Sequence, residues 1–316
     1  MSGNTQGKRP KAIVLFSGGL DSSLACEVLH RAGVEVVALR HHSIFYPLRA
    51  ARGYTPPGGV ITREISEVMV QLVRSPRYGH GRNANPCLDC KQMMYGRAWA
   101  EAQQQGADFI ATGEVLGQRP MSQHKEAFRR MEKGAGVEGL VVRPLSGRLL
   151  APTIPEQKGL IDRADLLDIS GRSRKRQMEL AAEWGIRDYP SPAGGCLLTD
   201  PQYAGRVFLL RDMGLFSVEH LRAARRGRLC PLGERAFLLV GRNDQDNRLL
   251  LADAPDDARM LELADHPGPL ACLIGEASPA ELQTAKGLVI RYSRFKALGA
   301  DDVVVRSVDE ARALWR

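Results

Sequence analysis

Nowhere in the 316 residues is there a run of roughly 20 apolar residues, the length that a helical bilayer span requires. The polar residues 1–11 lack the apolar stretch of a secretion signal, so the expected compartment is the cytoplasm, with no membrane partner. There is no internal repeat and no low-complexity tract. Six cysteines in an unexported chain of this length read as thiols or metal ligands, not as a disulfide framework. What is present is ordinary for a globular protein with a sizeable core: 44% hydrophobic and 25% charged residues, in a length that suits two domains.

The formal charge of +8 is unevenly spread. Residues 237–316 carry 10 Lys and Arg against 13 Asp and Glu, so a net +11 falls on residues 1–236. A basic body suits a polyanionic partner through phosphate contacts and counterion release. The alternative is a solvated basic surface without a partner.

Residues 11–16 form a short apolar run, followed by Ser17-Gly18-Gly19 and a helical pattern over 21–32. Residues 34–40 predict a second buried strand. Helical periodicity returns around 63–74 and 91–105, and a third apolar run from Phe109 ends at Thr112-Gly113. Strands alternating with helices predict an α/β fold, a doubly wound parallel sheet covered on both faces. In such sheets ligands bind beyond the carboxyl ends of the strands, where Ser17 to Ser23, His41 and Thr112 to Gln123 fall. Prolines and glycines in 47–60 and 188–196 predict loops. The expected organisation is a disordered N-terminus (1–10), an α/β domain (11–205), a basic linker or helical segment (206–236) and a small α+β domain (237–316). The linker holds seven Arg against three acidic residues over 206–235.

Ser17-Gly18-Gly19-Leu20-Asp21-Ser22-Ser23 follows a strand and opens a helix. Small residues let the backbone close around an anion, and the free N–H groups of the first helical turn point at it. Ser17, Ser22 and Ser23 can add hydroxyl donors. Asp21 is badly placed against a bare phosphate and would meet it through Mg²⁺. The bland alternative is a glycine turn with no ligand.

Cys87-Leu-Asp-Cys90 has a spacing that lets both sulfurs reach one metal or each other. No second pair follows, and the nearest other cysteine in a loop context is Cys196. Three thiolates without a fourth ligand suit an iron–sulfur cluster with one open iron. They equally suit a redox set that carries a persulfide and resolves it as a disulfide. Cys26 and Cys272 read as core residues.

Together these segments resemble known families. The Ser17–Ser22 loop is similar to the pyrophosphate loop of the ATP pyrophosphatases, which split ATP to AMP and pyrophosphate and place AMP on an oxygen of the acceptor. Asn85-Pro86-Cys87 with a second cysteine resembles the tRNA 2-thiouridylases and iron–sulfur-dependent thiolases. Thr112-Gly113-Glu114-Val-Leu-Gly117-Gln118, with the later Ser122-Gln123, resembles the 4-thiouridine synthases, as do Arg143-Pro-Leu and the helix to Trp184-Gly-Ile. Cys196 falls where that family's domain has a third cysteine. Those synthases normally carry an RNA-binding region ahead of the loop, whereas only ten residues precede the first strand here. Gly241-Arg242-Asn243 looks instead like a signature of the NFACT RNA-binding region.

The resemblance implies an enzyme that uses ATP and Mg²⁺ to adenylate a base in RNA, with tRNA expected, and then replaces its oxygen with sulfur. The implied catalytic residues are Asp21, Cys87, Cys90 and Cys196, the last three also being the expected ligands of a [4Fe–4S] cluster. Nucleotide binding falls to Ser17, Gly18, Gly19, Asp21, Ser22, Ser23, His41, Thr112, Gly113 and Gln118. A sulfur donor, either a cysteine desulfurase or sulfide, is the second expected partner. Lys91, Arg119 and Lys125 would supply a positive field for the thiols. Two rivals stand beside this reading: adenylation of a small-molecule acceptor for amidation or sulfur transfer, and a non-catalytic RNA-binding protein.

Overall fold

The structure, a computed structural model, describes residues 9–46, 54–189 and 195–315. The expected disorder of the N-terminus thus lies mostly outside the described residues, as do parts of the loops at 47–60 and 188–196. In chain order the elements are β1 (Lys11–Leu15), α1 (Leu20–Arg31), β2 (Glu35–His42), β3 (Val60–Glu64), α2 (Ser66–Arg74), α3 (Cys87–Gln104) and β4 (Phe109–Thr112). There follow α4 (Lys125–Ala135), β5 (Val141–Val142), α5 (Ile154–Gln157), α6 (Lys175–Glu183), α7 (Pro201–Asp212) and α8 (Val218–Ala223). The last part holds β6 (Arg228–Leu232), β7 (Ala236–Val240), α9 (Asp244–Asp253), β8 (Arg259–Leu263), β9 (Ala271–Gly275), α10 (Pro279–Tyr292), β10 (Val303–Ser307) and α11 (Val308–Leu314).

The chain divides into two compact units. The first comprises residues 1–65, 76–80 and 86–195, and the second comprises 66–75, 81–85 and 196–316. The first unit holds a five-stranded sheet of order β3-β2-β1-β4-β5, every pairing parallel. Parallel strands need cover on both faces, and the side chains of β1 show how it is supplied. Ala12, Val14 and Phe16, with Val36 and Ala38, pack on Ala25, Cys26 and Leu29 of α1. Ile13, with Val37 and Leu39, packs on Tyr95 and Ala98 of α3 and on Phe128 and Met131 of α4. The chain runs outward from β1 to β2 and β3, then returns to β4 on the other side of β1. That reversal makes the carboxyl ends of β1 and β4 the topological switch point, where the ligand crevice of such a sheet forms.

The second unit holds a five-stranded sheet of order β10-β8-β9-β7-β6, every pairing antiparallel. One face, with Leu238, Val240, Leu261 and Leu273, closes on Ala285 and Val289 of α10. The unit begins earlier than the expected boundary at 237. The arginine-rich stretch 206–236, expected as a linker or a helical segment, contains most of α7, all of α8 and the edge strand β6. Several of its arginines are internal braces. Arg206 donates to the carbonyls of Ala224, Arg226 and Gly227 at 2.7, 3.1 and 2.9 Å, and Arg226 pairs with Asp253 at 2.6 Å. An arginine fork suits such carbonyl clusters, so these residues leave the basic surface that composition alone implied.

Candidate active site

β1 is followed by a buried Phe16, and the chain then turns through Ser17, Gly18 and Gly19 into α1. Gly18 adopts φ +76°, a conformation that favours glycine, and a side chain there would collide with the Arg40 guanidinium. Gly19 caps α1 with no side-chain hydrogen bond, so the first N–H groups of the helix are left to another acceptor. The serine hydroxyls divide. Ser22 and Ser23 turn inward and donate to the Gly19 carbonyl at 2.8 and 3.1 Å, while Ser17 Oγ contacts Ser22 Oγ at 3.2 Å on an exposed residue.

Asp21 lies in the first turn of α1. Its Oδ2 accepts from Gln118 Nε2 at 3.2 Å, whereas Oδ1 is buried with no hydrogen-bond partner among the described residues. A buried carboxylate oxygen left without a donor is costly, and a hard cation is the natural partner for it. Gly113, at the end of β4, makes this placement possible. A Cβ at Gly113 would stand 2.5 Å from the Asp21 carbonyl oxygen and 2.6 Å from the Ser22 nitrogen. The absence of a side chain therefore lets the end of β4 lie against the opening turn of α1.

The next residue ties this end of the sheet to the cysteine turn. Glu114 is buried, and its Oε1 meets Lys91 Nζ at 2.6 Å. Its Oε2 accepts from Thr112 Oγ1 at 3.1 Å and from the Tyr95 hydroxyl, and lies 3.4 Å from Arg143 Nε. Arg143, 4% exposed, also binds Glu132 at 2.6 Å and Tyr95 Oη at 3.1 Å, and stacks over Phe128. Burial alone would raise the Glu114 pKa, but Lys91 and Arg143 overcome it and hold the group at about 2. Burial raises the Tyr95 pKa. Lys91 therefore spends its charge on a buried carboxylate, which leaves Arg119 and Lys125, both exposed, as the remaining sources of the expected positive field.

Cys87 and Cys90 occupy the first turn of α3, Cys87 exposed and Cys90 half-buried. The N-cap of α3 is Pro86, which supplies no side-chain hydrogen bond. Between the two cysteines, the buried Asp89 accepts from the backbone N–H groups of Arg77 and Tyr78 at 2.9 and 3.2 Å, which fixes the turn. The hydroxyl of Tyr46, beyond the end of β2, stands 4.0 Å from Cys90 Sγ. Cys196 belongs to the second unit. Among the described residues, no group of three or more His, Cys, Asp or Glu side chains is placed to hold a metal ion. Cys26 and Cys272 are fully buried core residues, and burial raises both pKa values, that of Cys272 to about 12.

His41 and Arg40 fall on opposite faces of the sheet. His41 follows Val37 and Leu39 on the α3 face of the sheet, with both ring nitrogens buried and unpartnered among the described residues. Burial, then Arg97, lower its pKa to about 4. Arg40 follows Val36 and Ala38 on the α1 face, stacks 5.5 Å over Phe16 and reaches Gly18 of the loop. The period of two in β2 already pointed to it, given which face α1 covers. In the second unit, Asn243 caps α9 by accepting from Asp246 N at 2.8 Å, and a side chain at Gly241 would collide with Asn247.

Residues 227–314 match the model of the NFACT protein RNA binding domain. The chain is 32% identical over 124 residues to a probable tRNA sulfurtransferase of Methanosarcina mazei, covering 35% of this chain and 30% of that protein. It is 28% identical over 226 residues to the tRNA-specific 2-thiouridylase MnmA of Xanthobacter autotrophicus, covering 64% of this chain and 54% of the relative. The chain spans about a third of the length of the first curated relatives it matches. A solved 4-thiouridine synthetase in complex with RNA and ATP is similar over 67% of this chain and 52% of its own, at 18% identity and a TM-score of 0.35. The fold assignment rests on strand order and not on that likeness. No helix among the described residues is long and apolar enough to cross a membrane.

Proposed function

We propose that this chain uses ATP to adenylate a base carbonyl in RNA, with tRNA as the RNA class, and then exchanges the activated oxygen for sulfur. The observation that carries this reading is Asp21, whose buried, partnerless oxygen stands at an uncapped helix start. Through Gly113 and Glu114 that site is physically linked to the turn bearing Cys87 and Cys90. Similarity to a tRNA sulfurtransferase and to 2-thiouridylases, and the match to an RNA-binding domain, support the same reading.

In the first step the base oxygen attacks the α-phosphorus of ATP, the bond to pyrophosphate breaks, and AMP becomes joined to that oxygen. The N–H groups opening α1, the Ser17 hydroxyl and the Arg40 guanidinium would hold the phosphates, and holding both reactants in one crevice supplies orientation. Asp21 would hold Mg²⁺, which when bound offsets charge gathering on the departing pyrophosphate. In the second step the terminal sulfur of a cysteine persulfide attacks the activated carbon, and AMP leaves with the oxygen. The other cysteine of the Cys87–Cys90 pair then attacks the carrier sulfur, forming a disulfide and releasing the thiolated base. A donor persulfide recharges the carrier after a thiol reductant opens the disulfide.

The finer alternative is a [4Fe–4S] cluster on Cys87, Cys90 and Cys196, which when bound would supply an open iron for sulfide. No three such side chains are grouped to hold a metal among the described residues, so that alternative rests on the cysteine spacing of the sequence alone. The pair on one turn favours the relay, which needs only two thiols within a single unit. Cys196→Ala separates them: the relay keeps thiolation, whereas the cluster loses both thiolation and visible absorbance in anaerobically reconstituted protein.

With Mg²⁺, ATP, a sulfur donor and tRNA lacking thiolated bases, the expected products are AMP, pyrophosphate and a thiolated nucleoside in the digested tRNA. ADP with phosphate, or AMP without any thiolated nucleoside, contradicts the reading. RNA affinity should fall with salt at a log–log slope of about −0.7 to −0.9 per phosphate neutralised. A flat response would favour the small-molecule acceptor.

A further inference from the structure

The second unit carries a cavity of about 520 Å³ that the adenylation and sulfur steps do not use. Its walls come from the turn at 241–244 that opens α9, the β8–β9 connection, the end of α10 and Trp315. Three aromatic rings line it, Tyr292, His266 and Trp315, and each has a partner within the unit. Arg228 stacks 5.0 Å over Tyr292, His266 stacks on Phe295 at 4.4 Å and 23°, and the Trp315 indole N–H donates to Glu262 at 2.9 Å. Fixed rings offer flat faces at little entropic cost on binding.

The charges of the walls decide what such faces would accept. The two acids are already engaged: Glu262 is bound by Arg306 at 2.9 Å as well as by Trp315, and Asp244 is bound by Arg248 at 2.9 Å. Arg294 is exposed at the rim, whereas Arg242, also exposed, already donates to the Gly227 carbonyl at 2.8 Å and lies 3.9 Å from Asp246. The features left over suit a ligand that brings π-faces for the rings and negative charge for Arg294. A fully paired duplex hides its base faces, whereas an unpaired strand presents them.

We infer that this cavity binds an unpaired nucleotide of an RNA strand, its base stacked on Tyr292 or Trp315 and its phosphate held by Arg294. The inference rests on the RNA-binding reading above and narrows it to a single-stranded element and a defined set of side chains. It also gives the second unit a task separate from the chemistry at α1 and α3.

The test uses the full chain and fluorescence anisotropy, with a labelled single-stranded ribo-oligonucleotide and a blunt RNA duplex of equal length as probes. The single strand should bind more tightly than the duplex and should quench Trp315 fluorescence. Trp315→Leu and Tyr292→Leu should each weaken single-strand binding about tenfold, within the usual range for loss of one stacked base. Both should leave duplex binding unchanged. Arg294→Glu, an exposed change that does not threaten folding, should weaken the single strand at least as much. If neither probe binds the wild-type chain, the RNA-binding reading itself fails. If the wild type binds RNA but all three variants match it for the single strand, or if duplex and single strand bind alike, RNA binding stands and the cavity assignment is overturned.

Discussion

Five helices of the second unit, α7 to α11, start differently from α1 and α3 of the first. From α7 to α11 each start is closed by a side chain, in turn Asp200, Ser217, Asn243, Ser278 and Ser307. α1 and α3 start at Gly19 and Pro86, with no side-chain cap on either. The same contrast appears in the carboxylates. Glu281 at the start of α10 bonds back to Ser278, whereas Asp21 keeps one buried oxygen without a partner among the described residues. An unmet buried atom is not by itself a site, since His220 Nδ1 of α8 is also without a partner among the described residues; Asp21 Oδ1 differs in lying beside the sheet's switch point, where a ligand would complete it.

Breaking each side of this comparison should have opposite consequences. Asp21→Asn should lower AMP formation by about 10³-fold, the scale expected when a developing charge loses its stabilising partner, with the unfolding midpoint unchanged. Measurement of pyrophosphate release and a thermal melt on one preparation checks both halves. Equal rates in wild type and variant would break the comparison at its functional end.

The buried charges between the starts of α1 and α3 set the next scale. Arg143→Met would leave Glu114 and Glu132 short of their cation and should cost about 3–5 kcal/mol in urea unfolding. Acid should act through the same group. The folded pKa of Glu114 is depressed from 4.5 to about 2, so its stabilising contribution is present above pH 4.5 and is lost as pH falls towards 2. His41 acts in the same direction, because its pKa is lowered from 6.5 to about 4 and protonation over that window favours unfolding. A stability profile flat between pH 6.5 and 3 would contradict both. The smallest effect belongs to the closed helix starts: Ser278→Ala should cost about 1 kcal/mol and leave AMP formation untouched.

How much of this was legible in the sequence follows from what is local. β1, the glycine loop and α1 are contiguous, and their apolar run, small residues and helical pattern signal one another. The cysteine turn is equally local. β3 was absorbed into a helical pattern over 63–74, because Val60–Glu64 is a largely exposed edge strand without a buried alternation. The Glu114 cluster is centred on Tyr95 of α3, Glu114 after β4 and Arg143 after β5, 19 to 48 positions apart, and no spacing rule connects them. Glu114 and Arg143 were visible only as parts of a family resemblance, without a role. The sequence offers His41 and gives no role to Arg40, because strand phase needs the covering helix to be known. The arginines of 206–235 suggest a basic linker or helical segment, since composition cannot tell a guanidinium facing solvent from one braced against carbonyls.

Titration calorimetry of pyrophosphate with the full chain, with and without Mg²⁺, tests the central claim most directly, because it asks the open start of α1 for its ligand without requiring the RNA substrate. Wild type should bind one pyrophosphate in a magnesium-dependent manner, and Asp21→Asn should lose that dependence while keeping its fold. Binding that is indifferent to Mg²⁺, or identical in wild type and Asp21→Asn, would contradict the account.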